Sequence, residues 1–120
     1  MPSIAFALPV RDAGNEREFL AALTGEQGRG VHGAHREHGF RRIKVWRQEG
    51  PQAMDIVYLE ADDLEAAMSA KAGAGDEHST WLSSMVEGVT GHKPGAATRP
   101  KTRLLVDWHE SKGHSTEHHD

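Results

Sequence analysis

Three histidines of this sequence recur at every third position of a predicted helix, and they are the first candidates for chemistry. The chain has nine histidines in 120 residues, and His32, His35 and His38 form this series. An imidazole titrates near neutral pH and can move a proton in either direction. We predict His35 and His38 as acid–base groups for an enolisable or phenolic substrate, in a pocket between the helix and a sheet. The alternative is a solvated helix face without a chemical role.

The same histidines could bind a metal ion or a haem. Each step of three residues turns the helix face by roughly 60°, so the three side chains spread over roughly 120° and converge only with strain. Zinc needs three or four converging ligands, and the His-Glu-x-x-His spacing is absent from the sequence. We therefore predict neither a metal site nor a cofactor, and we keep a metal- or haem-binding protein as an alternative.

Asp55 is the third candidate catalytic residue because it interrupts a strand that is otherwise apolar. A buried carboxylate without a partner is costly, so Asp55 must either form an ion pair or change its protonation state. Arg42, Lys44 and Arg47 on the preceding strand are possible cross-strand partners. A structural ion pair is the alternative to a perturbed carboxylate in a pocket.

Large aromatic side chains are the candidates for binding a substrate. Trp46, Tyr58 and Trp81 could form the wall of a small-molecule pocket, since such pockets combine aromatic surface with a few polar groups. Ordinary packing in a core or a subunit interface is the alternative for each of them. The predicted ligand is a small aromatic molecule.

Composition excludes several classes of partner. The formal net charge is −4 and the isoelectric point is about 6.1, which argues against a nucleic-acid partner. There are no cysteines, so disulfides and thiolate sites are excluded. No apolar run approaches the roughly 20 residues that a membrane span needs. The N-terminus lacks the features of a signal peptide, and we expect a cytoplasmic protein without a membrane partner.

The order of predicted elements indicates an α+β fold. Glycines weaken the first predicted helix near 25–30, and residues 71–75 split the second. The predicted helix caps are Asn15, Asp62 or Asp63, and Asp76 or Ser79. The predicted helix ends are Gly39 and Gly91. The resulting β-α-β-β-α-β order is that of a ferredoxin-like antiparallel sheet with its helices on one face. We assign residues 1–110 to this domain and 111–120 to a flexible polar tail. The predicted strands are 4–10, 41–48, 53–60 and 103–109.

The predicted strands are apolar on both faces, although two helices can cover only one face of a sheet. The other face needs a cover, and the same face of a second copy is the simplest candidate. We therefore predict a homodimer.

With this element order, the chain resembles the dimeric α/β-barrel superfamily, which includes antibiotic-biosynthesis monooxygenases and some polyketide cyclases. It is most similar to an uncharacterised bacterial family of that fold. The likeness covers about residues 3 to 109 and rests on the segment 55–63, on Val89-Thr90-Gly91, on the proline-containing loop after it and on 104–108.

The resemblance implies a dimeric α+β barrel, and it suggests a cofactor-independent enzyme, a monooxygenase or a cyclase, acting on a small aromatic or polyketide-like molecule. It transfers no catalytic residue to a position in this sequence. A dimeric module that binds a small molecule without catalysis is the alternative, and a protein that binds a metal or a haem through histidines is another.

Overall fold

The computed structural model describes residues 2–91 and 101–115. Their helices and strands confirm the predicted α+β class. The elements in chain order are β1 (Ser3–Pro9), α1 (Ala13–Ala22), α2 (Glu26–His38), β2 (Phe40–Gln48), β3 (Met54–Ala61), α3 (Leu64–Ala72), α4 (Glu77–Thr90), β4 (Asp107–His109) and β5 (Gly113–Ser115).

The first three strands form one antiparallel sheet in the order β1-β3-β2. The predicted hairpin of β2 and β3 is confirmed, with Val45 opposite Val57 and Arg47 opposite Asp55. On the other side of β3, Phe6 lies opposite Val57. β3 is therefore the central strand, and β1 and β2 are its edges.

Aspartates begin three of the helices, because their carboxylates accept hydrogen bonds from free backbone N–H groups in the first turn. Asp63 and Asp76 cap α3 and α4, and both were among the predicted caps. The predicted cap Asn15 is wrong. Asp12 caps α1 instead, since its Oδ1 accepts from the Asn15 N–H at 2.9 Å. The aspartate three residues before the predicted cap is therefore the N-cap of α1.

The predicted weak region of the first helix divides it into α1 and α2. Two glycines there allow close packing: a Cβ at Gly28 would overlap the Leu23 carbonyl, and one at Gly30 would overlap the ring of His78 on α4. Glycine at these positions therefore lets the α1–α2 connection turn tightly and lets α2 approach α4.

Alternation along β3 defines two faces of the sheet. The inner face, which the helices cover, includes Asp55, Val57, Leu59 and Ala61, together with the residues opposite them. A small core lies at one end of this face, where Phe40, Leu59, Ala61 and Ala67 are buried together. The outer face includes the alternate residues; among them, Trp46 is 51% exposed, Ala5 and Ala7 are exposed, and Ile56 and Tyr58 are half-buried.

The C-terminal segment differs from the predicted strand 103–109. Only Asp107–His109 is a strand, and it pairs with Gly113–Ser115 rather than with the three-stranded sheet. A turn in which Lys112 N–H donates to the His109 carbonyl at 3.0 Å, with Gly113 at φ 73°, folds the chain back on itself. Residues 111–115 of the predicted tail therefore belong to this hairpin. Apolar side chains before and within it are more than half exposed: Leu104, Leu105, Val106 and Trp108.

Candidate functional site

A cavity of about 340 Å³ lies between the inner face of the sheet and the helices. Its volume is at the lower end of the ~300–1,000 Å³ of small-molecule sites. The strands contribute apolar side chains from Phe6, Leu8, Ile43, Val45, Val57 and Leu59. The helices contribute Phe19, Leu20, Leu23, Val31, Met68, Leu82, Val86 and Val89. Leu20 and Val45 are 55% and 57% exposed, so they mark where the cavity opens to solvent.

One end of the cavity contains an ion-pair cluster. Arg47 lies between Glu16 and Asp55; its guanidinium contacts a carboxylate oxygen of Glu16, and its Nε donates to Asp55 Oδ1 at 3.3 Å. The Glu16 and Asp55 side chains are only 11% and 12% exposed. The predicted structural ion pair of Asp55 is present, and among the three proposed cations the strand register selects Arg47, directly opposite Asp55.

His35 also lines the cavity, on α2. Its Nδ1 is buried and has no hydrogen-bond partner in the described part of the chain. The pKa of His35 is lowered to about 4, mainly by burial and to a smaller extent by the nearby charges of Lys71, His38 and His32. The ring is therefore neutral at physiological pH, and its Nδ1 is enclosed by the protein.

Lys71 completes this part of the wall, from the last turn of α3. The side chain forms no ion pair or hydrogen bond with any residue that the structure describes. Burial lowers its pKa, because the ammonium loses hydration that no carboxylate replaces. Lys71 is close enough to His35 for its charge to act on the imidazole.

The ion-pair cluster around Arg47 and the pair of His35 and Lys71 lie far apart along the sheet. The His35 ring packs edge-on against Phe40, with centroids 6.1 Å apart, and Phe40 pairs with Ala61 at the end of β3. Asp55 lies six positions earlier on the same strand, which corresponds to roughly 20 Å. We call the two regions the Arg47 end (Glu16, Arg47, Asp55) and the Lys71 end (His35, Lys71).

Of the predicted catalytic residues, the structure brings His35 and Asp55 to the cavity and places His38 elsewhere. His38 lines a separate, shallower depression of about 390 Å³. The depression is polar, and its rim includes the exposed ion pair of Arg41 with Asp62 at 2.6 Å. Because its walls carry solvated charges, it suits a small organic ligand less well than the apolar cavity does.

None of the three predicted aromatic contacts lines the cavity. Tyr58 and Trp46 are on the outer face; the Tyr58 hydroxyl donates to Glu60 Oε2 at 2.5 Å, and this bond raises its pKa. The Lys44 ammonium lies 5.7 Å from the centroid of the Trp46 ring. Trp81, on α4, stacks at 5.7 Å against Phe19, which does line the cavity.

Sequence reasoning missed Glu16 and Lys71. Both continue the apolar stripe of a helix: Glu16 precedes Phe19 by three residues, and Lys71 follows Met68 by three, so each lies on the inward side. A charged residue in register with an inward stripe was the signal that could have identified them.

The histidines of residues 2–91 and 101–115 are not grouped as metal ligands. Among the residues that the structure describes, no group of three or more histidine, aspartate or glutamate side chains could hold a metal ion. His32 is exposed, whereas His35 faces the cavity. None of the helices in 2–91 and 101–115 is long and apolar enough to cross a membrane.

Comparison with known proteins found no match: no family model, no curated protein and no solved structure matches this chain.

Proposed function

We propose that this protein is a homodimer that binds a small, largely apolar molecule, of the size of one or two aromatic rings, in the cavity beneath the sheet. The observation that carries the proposal is the apolar lining of a cavity of about 340 Å³. Apolar cavities of this kind hold apolar ligands more readily than water. Binding accounts for the site better than catalysis does, because a histidine with a pKa of about 4 is a weak base.

The presence of the His35 imidazole in the cavity wall favours an enzyme as the second candidate function. In that case the protein is a cofactor-independent oxygenase or cyclase, and the neutral imidazole removes a proton from a phenolic or enolic ligand. A ligand anion beside His35 would raise the pKa of the imidazole toward the range in which it is an effective base. The resemblance to the dimeric α/β barrels supports this candidate.

The outer face of the sheet supports the homodimer. Ala5, Ala7, Trp46, Ile56 and Tyr58 give this face an apolar centre, and none of α1 to α4 covers it. An exposed apolar patch of this kind is typical of an interaction surface. A second copy that presents the same face would bury both patches and form the dimeric α+β barrel.

The ferredoxin-like sheet is the finer part of the architectural proposal. β1 is an edge strand in the order β1-β3-β2, and a fourth strand beside it would complete the ferredoxin-like order. We propose that residues 103–109 dock at this edge, within the subunit or in its partner. Docking would bury apolar side chains that are exposed in the single chain, namely Leu104, Leu105, Val106 and Trp108.

Calorimetric titration with 2-naphthol, which is neutral at pH 7, tests the cavity. We expect the unmodified protein to bind it, and we expect Val57→Phe to abolish binding because the ring fills the cavity from the centre of β3. Ser84→Phe adds the same ring at an exposed position of α4 outside the cavity and should bind normally. Circular dichroism checks that both variants are folded. Equal binding of 2-naphthol by the two folded variants would contradict the proposal.

Light scattering at micromolar concentration tests the dimer. The expected mass is that of two chains, and Trp46→Glu should reduce it to one, because a carboxylate on the outer face opposes burial. Thr80→Glu adds the same charge on α4 and should remain dimeric. A mass of one chain for the unmodified protein would contradict the proposed dimer.

A further inference from the structure

We infer that the molecule bound by the cavity is a small organic monoanion, whose carboxylate or enolate lies at the Lys71 end and whose apolar body extends along the inner face toward Asp55. The inference rests on the proposed function and specifies its ligand. It follows from the unequal neutralisation of two cations: Arg47, which contacts two carboxylates of the cavity wall, and Lys71, which lines the cavity itself.

The Arg47 end cannot receive an anion. Arg47 already contacts the carboxylates of Glu16 and Asp55, and with both ionised the cluster carries one net negative charge. Its Nη2 and Nε contact carboxylates of the chain itself. A ligand anion at this end would meet the net repulsion of these carboxylates.

The Lys71 end has the opposite property. Lys71 has no carboxylate partner among residues 2–91 and 101–115, and it loses hydration in an apolar wall. Its place in the last turn of α3 favours a cation, because the carbonyl end of a helix dipole is negative. A ligand anion would supply the missing counter-charge and stabilise the ammonium.

His35 provides a second contact for the same anion. The ring lines the cavity and its Nδ1 is enclosed by the protein. In the tautomer that carries the proton on Nε2, the neutral ring donates one hydrogen bond from the other nitrogen. An ammonium and an imidazole N–H at the same end of the cavity can therefore bind the two oxygens of a carboxylate.

Apart from the hydroxyl-bearing residues Ser83 and Thr90 of α4, the lining between the two ends is hydrocarbon. Val57 and Leu59 on β3 and Leu82 and Val86 on α4 line the surface. These side chains neither donate nor accept hydrogen bonds, so the complementary body is apolar. An aromatic carboxylate has both of the required features.

The test compares 2-naphthoate with neutral 2-naphthol at pH 7 and low ionic strength. We expect the unmodified protein to bind 2-naphthoate at least about tenfold more tightly, the factor that 1.4 kcal/mol of charge-assisted contact produces. Lys71→Met should remove this preference while changing 2-naphthol affinity less than about twofold. Lys71→Arg should retain most of it. Lys44→Met removes a cation from the outer face and should change neither affinity.

The outcomes separate the two proposals. Binding of 2-naphthol without a preference for 2-naphthoate, or a preference that survives Lys71→Met, would overturn the anion site and leave the apolar cavity standing. Failure of both compounds to bind the unmodified protein would overturn the proposed function and the anion site with it.

Discussion

The two ends of the cavity treat buried charge in opposite ways. At the Arg47 end, a strand arginine lies between two carboxylates that come from α1 and β3. At the Lys71 end, a helix lysine and a neutral histidine lie in the same apolar wall without a carboxylate. The first arrangement is complete without a ligand, whereas the second is completed only by a group that the described chain does not supply.

The difference teaches that burial of a charge does not by itself identify a binding site. A charge that is neutralised within the fold contributes to the specificity of packing. Removing one member of such a cluster leaves the other charges buried without a partner, which lowers stability. A charge left without a partner lowers stability, and perturbed charges of this kind cluster at functional sites. The Lys71 end is the one that points to a ligand.

The largest expected effect is the loss of stability on removing the cation of the Arg47 end. Arg47→Met leaves Glu16 and Asp55 buried beside each other without a counter-charge, and we expect the free energy of unfolding to fall by about 3 kcal/mol. Urea denaturation at pH 7 measures it. The control is Arg41→Met, which breaks an ion pair whose side chains are 60% and 63% exposed and should cost less than about 1 kcal/mol. Similar losses for the two variants would show that the Arg47 end is not a buried cluster.

The next effect concerns acid stability and the histidine of the Lys71 end. In the folded state the pKa of His35 is lowered from 6.5 to about 4. Between these values the unfolded chain binds more protons, so the stability of the fold is lost as the pH falls from about 6.5 toward 4. His35→Leu removes this loss. Between pH 7 and pH 4, the unmodified protein should lose about 2 kcal/mol more than the variant, a figure reduced for partial exposure of the ring.

Denaturation curves at several pH values between 7 and 4 supply this measurement. His32→Ala is the matched control, because His32 is on the same helix but exposed, and it should follow the unmodified protein. If the free energy of unfolding fell equally with pH for the unmodified protein and for His35→Leu, the imidazole would not be held neutral by the fold.

A smaller effect of opposite sign is expected at Lys71. The same type of substitution that destabilises the Arg47 end should stabilise this one, because burial lowers the pKa of Lys71 and the folded state therefore disfavours its ammonium. Below the pKa of the unfolded chain this penalty is present, so at pH 7 Lys71→Met should raise the free energy of unfolding by on the order of 1 kcal/mol. Thermal and urea unfolding measure the change. A loss of stability would mean that the amine has a partner.

The smallest effect is expected outside the cavity. Tyr58→Phe removes the hydrogen bond to Glu60 on the outer face, which costs at most about 1 kcal/mol at a partly exposed position. Affinity for 2-naphthol should change less than about twofold, because the hydroxyl lies on the far side of the sheet from the cavity. A large loss of affinity in titrations would place Tyr58 in the binding site after all.

Much of the local structure was predictable because it depends on neighbours in sequence. The period-two pattern of β1 and β3, the caps Asp63 and Asp76 and the stops at Gly39 and Gly91 agree with the structure. The cap of α1 was misplaced, since both Asp12 and Asn15 have suitable side chains and only the backbone conformation of Asp12 distinguishes them. The final strand was predicted too long, because an apolar pattern does not specify a strand's partner: Asp107–His109 pairs with Gly113–Ser115, which lie only a few residues further on.

The candidate site was predicted only in part. His35 and Asp55 were identified from their chemistry, and both line the cavity. Trp46 and Tyr58 were assigned to the same pocket, but the register of the hairpin turns them to the outer face. One residue of register separates the two faces, and a pattern that is apolar on both of them does not reveal which one the helices cover.

By itself, the sequence determined most of the helix and strand boundaries, since caps, glycines and hydrophobic periodicity act over a few residues. It also determined that charged side chains lie within apolar stretches. Only the tertiary structure decided which of those charges are neutralised. Glu16 reaches Arg47 from a different element, and Lys71 reaches no carboxylate in the described chain, because ion pairing depends on the packing of elements that are distant in sequence.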